Sequence, residues 1–195
     1  MGNNEFILRA ATPGDAGEIL RIYAPFIENS TVTFELEVPS TEDFAKRIAN
    51  ISKDYPWIVC EQAGRIVGYA YSARHAERAA YGFSANLSVY VDPDFSRRGI
   101  GRLLCREIME LSRDMGICHL FSAVTVPNVP SFALHRDLGF EPCGYFKRAG
   151  RKFGTWRDLA WFEIELSDQP PAALLPAGQV LEKRFGRDGK AAITL

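Results

Sequence analysis

Asn86-Leu87-Ser88-Val89-Tyr90-Val91 runs into Asp92-Pro93-Asp94-Phe95-Ser96 and then Arg97-Arg98-Gly99-Ile100-Gly101-Arg102-Leu103-Leu104. Leu87, Val89 and Val91 alternate with Asn86, Ser88 and Tyr90, which is the period of a β-strand, and Asp92-Pro93-Asp94 ends the strand with turn chemistry. A helix is predicted over residues 97–115, stopped by Gly116. Where it begins, unpaired backbone N–H groups and the positive end of the helix dipole converge on one point. That point cradles an anion, most simply a phosphate. Gly99 and Gly101 let the backbone come close, and Arg97 and Arg98 add charge-assisted contacts. Without a ligand the same letters read as two solvated charges and two turn-shaping glycines. A Walker loop is rejected because Gly101 is followed by Arg102-Leu103, and a dinucleotide fingerprint because Leu104 stands where its third glycine belongs.

The surrounding composition is that of a globular chain. At 195 residues, 47% of them hydrophobic, it suffices for one packed domain, and a formal net charge of −1 points away from nucleic acid and anionic membrane as partners. Apolar runs fall short of a bilayer span, and the polar start Met1-Gly2-Asn3-Asn4-Glu5 is unlike a signal peptide, so a cytoplasmic location is expected. Cys60, Cys105, Cys118 and Cys143 lack paired spacing and read as structural thiols, with no metal expected.

Outward from the central stretch, residues 6–8 read as a first strand. Thr12-Pro13 open a helix whose apolar face is Ala16, Ile19, Leu20, Tyr23 and Ile27. Pro25 is expected to interrupt it, and Thr31-Val32-Thr33-Phe34-Glu35 to be β-structure. Ser40 caps a second helix carrying Phe44, Ile48 and Ile51. Residues 57–61 and 65–71 form a hairpin about Ala63-Gly64, and 73–82 a polar connection in which His75 reads either as a solvated loop histidine or as a catalytic one. Residues 117–126 are almost continuously apolar, as a strand covered on both faces is, and strand-helix-strand implies a parallel pair with a right-handed crossover. A fourth helix starts near Val129 and stops at Gly139; residues 145–148 and 159–166 are the last strands, joined by a loop at 150–154. One domain over residues 1–166 is expected. Residues 167–195 show no sustained period and read as a tail without independent fold, lying on the domain or on a partner subunit.

Arg97-Arg98-Gly99-Ile100-Gly101 after Ser88-Val89-Tyr90-Val91 resembles the acetyl-CoA motif of the GNAT superfamily of N-acetyltransferases. Further segments resemble its phosphinothricin and L-methionine sulfoximine/sulfone acetyltransferases: Ser30 to Glu35, Tyr55-Pro56-Trp57, Ala80-Tyr81, Pro127-Asn128 with Ser131, Leu134-His135, Leu138-Gly139-Phe140, and Ala149-Gly150 with Lys152, Gly154, Trp156 and Asp158. The resemblance spans residues 6–166. It implies an α/β (α+β) fold with a mixed central sheet flanked by about four helices, and direct attack of a small amino-acid-like amine on acetyl-CoA. It places acetyl-CoA along Ser88, Val89, Tyr90, Val91, Ser96, Arg97, Arg98, Gly99, Ile100 and Gly101, with Asn128 and Ser131 at its pantetheine arm. Asn128 reads equally as a plain turn residue. The acceptor falls to Phe34 as apolar wall, Glu35 as carboxylate for an ammonium group, Tyr81 and Lys152. His135 stands where many relatives hold a tyrosine that protonates the departing thiolate; it reads as that acid, as a substrate-orienting group, or as packing. Relatives pair through their C-terminal elements, so a homodimer is implied.

Departures from the resemblance concern the chemistry. Phosphinothricin-type enzymes carry a glutamate, their proposed general base, where this strand has Asn86. An amide takes up no proton at physiological pH, although it holds a water or bonds the acceptor amine. Arg151 and Phe153 also replace the usual tyrosine and histidine, and Ser96 the usual opening of the cofactor motif, which counts against phosphinothricin itself as substrate. Three functions remain open: transfer to a small amine with Asn86 as a catalytic-site residue, acetyl-CoA binding without turnover, and transfer to a peptide or protein amine.

Overall fold

In the computed structural model, which describes residues 5–186 and 189–194, the alternating runs become β1 (Glu5–Ala10), β2 (Trp57–Gln62), β3 (Arg65–Arg74), β4 (Ser84–Val91), β5 (His119–Val126), β6 (Glu141–Lys152), β7 (Thr155–Glu165) and β8 (Lys190–Thr194). Residues 1–4, 187–188 and 195, which include the polar start and Arg187, lie outside the described residues. The strands form one sheet in the order β6-β7-β5-β4-β3-β2-β1-β8, antiparallel throughout except for the parallel pair β4 and β5. Period-2 alternation then sends neighbours to opposite faces. Trp57 and Val59 pack under α1 (Ala16–Asn29) and α2 (Thr41–Ile51), while Ile58 and Cys60 pack under α3 (Ile100–Met115) and α5 (Ala177–Phe185).

α3 repeats Ile100, Leu104, Ile108, Leu111 and Met115 at helical spacing, and all of these are buried. It lies close on β3 because Gly68 has no side chain: a Cβ there would come within 3.0 Å of Leu104 and 3.1 Å of Ile100. Its start is thereby set against the end of β4. After β5, α4 (Val129–Asp137) is capped by the Asn128 side chain, which accepts from Ser131 N–H at 3.2 Å.

Several expectations are corrected. α1 runs unbroken past Pro25 to Asn29, because burying Ile22, Tyr23 and Ile27 outweighs one absent backbone hydrogen bond. Residues 31–33 are bends and 34–35 irregular rather than a strand; the Ser30 and Thr33 hydroxyls take the N–H groups of Val32 and Glu35 (3.2 Å each) that a ladder partner would otherwise receive. α3 begins at Ile100 rather than residue 97, since Arg97 (φ 61°) and Gly99 (φ 83°) are both left-handed. Most of the expected loop at 150–154 belongs to the β6–β7 hairpin, whose turn is Phe153-Gly154. The C-terminal segment does lie on the domain, but as a helix and an eighth strand: α5 packs on α3, where Arg184 pairs with the buried Glu107, and β8 pairs with β1. Its apolar positions are too widely spaced to show a period before a sheet edge is there to receive them.

Candidate active site

β4 and β5 pair only over Ser84–His119, Ala85–Leu120 and Asn86–Phe121, then diverge. From Leu87 onward the two strands therefore open a notch through the sheet. A cavity of about 60 Å³ sits in it, lined by Leu87, Ser88, Val89 and Tyr90 on one side, Ser122, Ala123 and Val124 on the other, and Asn128, Ser131 and His135 beyond. It continues into a groove of about 530 Å³ lined by Val89, Tyr90, Val91, Ser96, Arg97, Gly99, Ile100, Gly101, Asn128, Ser131 and Leu134, with Phe26, Val32 and Phe95 closing its walls. Nearly every residue expected around the cofactor thus lines one continuous channel. Arg98 is the exception: it is exposed, its guanidinium stacks over Phe95 at 4.7 Å and donates to the Asp94 carbonyl at 3.4 Å, so it braces the loop rather than facing the channel.

The loop is held from behind by Asp92. Its carboxylate, 4% exposed, accepts from Arg21 at 2.7 Å and Arg65 at 2.8 Å, and from Asp94 N–H at 3.1 Å. Burial alone would raise its pKa, but the Arg21 bond, the Asp94 N–H and the charge of Arg65 outweigh burial and keep it below the ordinary carboxylate value. With β4 so anchored, the first helical bond of α3 is Leu103 N–H to Gly99 C=O at 3.0 Å, and the N–H groups of Ile100, Gly101 and Arg102 precede it. Ile100, Gly101 and Arg102 line the groove, and free N–H groups at a helix start are the kind of donors that receive an anion.

At the vertex of the notch lies Asn86. Its Oδ1 is 2.8 Å from His75 Nδ1, and its Nδ2 donates to the Arg74 carbonyl at 3.4 Å. His75 stacks on Phe121 (4.3 Å, 29°), with Tyr81 and Trp161 edge-on at 5.6 and 5.9 Å. Tyr81, expected beside the acceptor, therefore meets His75 at the vertex. His75 read as a loop residue from its polar neighbours; the antiparallel register pairing Ala73 with Asn86 is the signal that brings the two together.

Behind the notch, on the α4 side, His135 is 2% exposed and packs against Phe162 and Phe140. Its Nδ1 is 2.7 Å from the Ser131 carbonyl, which only accepts, so Nδ1 carries the hydrogen and Nε2 keeps the lone pair in the neutral ring. Nε2 is buried and has no partner among the described residues. Desolvation pushes this imidazole below its ordinary value, against the pull of the Ser131 carbonyl. In this neutral form the ring holds its one hydrogen at Nδ1, on the Ser131 carbonyl, and a lone pair at Nε2.

On the acceptor side, Glu35 accepts from Arg47 at 2.6 Å and from Tyr23 OH at 3.0 Å. Burial, set against the Thr33 hydroxyl contact, pushes that tyrosine up to about 12. Tyr71 of β3 stands opposite Ser88 of β4, next but one to Asn86, and burial pushes its hydroxyl above the ordinary tyrosine value. Phe34 packs flat on Gly150 of β6, where a Cβ would lie 2.6 Å from the ring. The Lys152 ammonium is buried and donates to the carbonyls of Thr33 (2.9 Å) and Phe26 (3.5 Å), so it clamps the β6–β7 hairpin to the loop after α1.

Comparison with known proteins agrees with this geometry. Residues 8–161 match the acetyltransferase (GNAT) domain family. The chain is 32% identical to the L-methionine sulfoximine/L-methionine sulfone acetyltransferase of Pseudomonas paraeruginosa, over 82% of this chain and 94% of that one. It superposes on the phosphinothricin acetyltransferase of Sinorhizobium meliloti, solved in complex with AcCoA, with a TM-score of 0.82 at 32% identity, over 87% and 95% of the two chains. A ribosomal-protein-alanine N-acetyltransferase from Brucella melitensis gives 0.79 at 34% identity, over 81% and 98%. With a GNAT match over most of its length and a glycine-arginine loop at the mouth of a splayed parallel pair, the chain belongs to the GNAT acetyltransferase family.

Proposed function

We propose that this acetyl-CoA-dependent N-acetyltransferase acetylates the amino group of a small amino-acid-like compound. The observation that carries the acceptor class is the Glu35–Arg47 pair, each about one-third exposed, which offers both charges to a zwitterion on the face of the sheet that bears Ser88 and Asn86. The N–H groups of Ile100 and Gly101, with Arg97 beside them, hold the pyrophosphate. Ser96, Asn128 and Ser131 flank the pantetheine arm, Val89, Tyr90 and Val91 form its apolar wall, and the thioester ends near the Asn86–Phe121 rung. There the amine attacks the carbonyl, and an N–H of β4 facing the notch holds the oxyanion. Alignment within one channel supplies much of the acceleration. The test is release of free thiol from acetyl-CoA against methionine sulfoximine, methionine sulfone, phosphinothricin, ordinary amino acids and short peptides. Turnover of the first two with silence on peptides supports the proposal. Turnover of peptides alone supports the second reading, transfer to a peptide amine, which the likeness to the Brucella enzyme brings in.

We place the enzyme in the cytoplasm, since its four cysteines are free thiols, as a reducing compartment keeps them. It works as a homodimer. β6 leaves an open sheet edge, and Tyr145, Phe146, Phe153 and Trp156 of the β6–β7 hairpin are all exposed, an apolar patch that a second copy would cover. Light scattering should give twice the 21.8 kDa chain mass; a monomer at assay concentrations would sink this part.

A further inference from the structure

We propose, building on the acetyl-transfer reading above, that His75 is the base that takes the proton from the acceptor amine, with Asn86 as its positioning residue. The Asn86 amide is oriented by its own bond: Nδ2 donates to the Arg74 carbonyl, so Oδ1 is the atom presented to His75 at 2.8 Å. An oxygen there only accepts, so Nδ1 carries the hydrogen and Nε2 of the neutral ring carries the lone pair. Stacking on Phe121 at 4.3 Å fixes the ring over the last rung before β4 and β5 part, the point at which a thioester lying in the notch must end. Tyr81 from the turn after β3 and Trp161 from β7 hold it edge-on. Two other titratable groups near the site have partners or positions of their own. Glu35 is bonded by Arg47 and Tyr23, and His135 lies on the opposite face of the sheet, packed on Phe162. An amide with an imidazole thus stands where relatives place one carboxylate.

The step balances without a further reagent. An acceptor ammonium gives one proton to Nε2, its nitrogen lone pair forms the N–C bond to the acetyl carbonyl, and the C–S bond breaks. The second nitrogen proton passes to the departing sulfur, and the imidazolium returns its proton to water.

The experiment compares wild type, His75→Gln, Asn86→Asp and Asn86→Leu, following kcat and both KM values from pH 6 to 9.5 with the best acceptor of the thiol-release panel. His75→Gln should lower kcat about 10²-fold at pH 7 while acetyl-CoA still raises the melting temperature as in wild type. The deficit should shrink as pH rises, because water then deprotonates the amine. Asn86→Asp, which still accepts from Nδ1–H, should stay within a few-fold of wild type, and Asn86→Leu should lose about tenfold in kcat. Wild-type turnover with His75→Gln undiminished overturns the dyad alone, and so does a deficit that is equal at every pH and accompanied by lost acetyl-CoA binding. If wild type releases no thiol with any amine, the acetyl-transfer reading fails and this proposal falls with it.

Discussion

Replacing His135 by leucine separates a proton donor from a buried neutral ring, because the two roles predict opposite outcomes. The native imidazole is 2% exposed, gives its Nδ1 hydrogen to the Ser131 carbonyl and leaves Nε2 without a partner among the described residues. Leucine removes the orphaned nitrogen and keeps the contact with Phe162, so stability at pH 7 should change by less than about 1 kcal/mol in either direction. The pH dependence carries the sharper signature. Burial holds the folded value below the unfolded one, which lies at about 6.5. As pH falls through 6.5 the unfolded chain takes up the proton first, so the stability present above that pH is lost below it. The slope reaches at most about 1.4 kcal/mol per unit and levels off once the folded value is passed. Urea unfolding between pH 5 and 7.5 should show this slope in wild type and a flatter line in His135→Leu. In the thiol-release assay the variant should keep kcat within about tenfold, against the 10²-fold or greater loss that removal of a general acid brings. A loss of that larger size in a variant of unchanged stability would refute the neutral-ring assignment.

Three further predictions concern the supports of the site. Gly99→Ala forces a side chain into φ 83° at the start of α3; the cost of about 1–2 kcal/mol should appear as a roughly 5- to 30-fold rise in the acetyl-CoA KM with the acceptor KM unmoved, and an unchanged KM would show that the loop does not bind the cofactor. Gly150→Ala places a Cβ 2.6 Å from the Phe34 ring and should raise the acceptor KM and cost about 1–3 kcal/mol by overpacking; an unaltered acceptor KM would remove Phe34 from the acceptor wall. Arg184→Ala strands the Glu107 carboxylate, 4% exposed, and because Arg184 is half exposed the loss should be about 1–3 kcal/mol in urea unfolding, below that of a fully buried pair; a loss under about 0.5 kcal/mol would mean that α5 is not held to α3 by this pair.

The central strand, the glycine-arginine loop and the α3 face were legible in the sequence because each is local: alternation, turn chemistry and helical spacing lie within a few residues of one another. The same locality explains what was missed. Pro25 reads as a break until the burial of Ile22 and Ile27 is known, and residues 31–35 read as β until the Ser30 and Thr33 hydroxyls are seen to take the backbone N–H groups. Lys152 matched a family segment by letter, and only the fold shows its ammonium donating to two carbonyls more than a hundred positions earlier in the chain. Arg98 sits next to Arg97, and only the left-handed backbone at Arg97 and Gly99 decides which of the two faces the groove. Asn86 stood out as a missing carboxylate, while its partner His75 lies beyond a connection of some ten residues and becomes visible only once β3 and β4 are in register.

The most direct test of the whole account is a crystal structure of the protein with acetyl-CoA. The pyrophosphate should lie within hydrogen-bond distance of Ile100 and Gly101 N–H, the pantetheine arm between the diverging β4 and β5 beside Asn128, and the thioester at the Asn86–Phe121 rung with His75 over it. Acetyl-CoA bound elsewhere, for instance in the groove between residues 113–116 and the C-terminal segment, or with its thioester away from that rung, would contradict it.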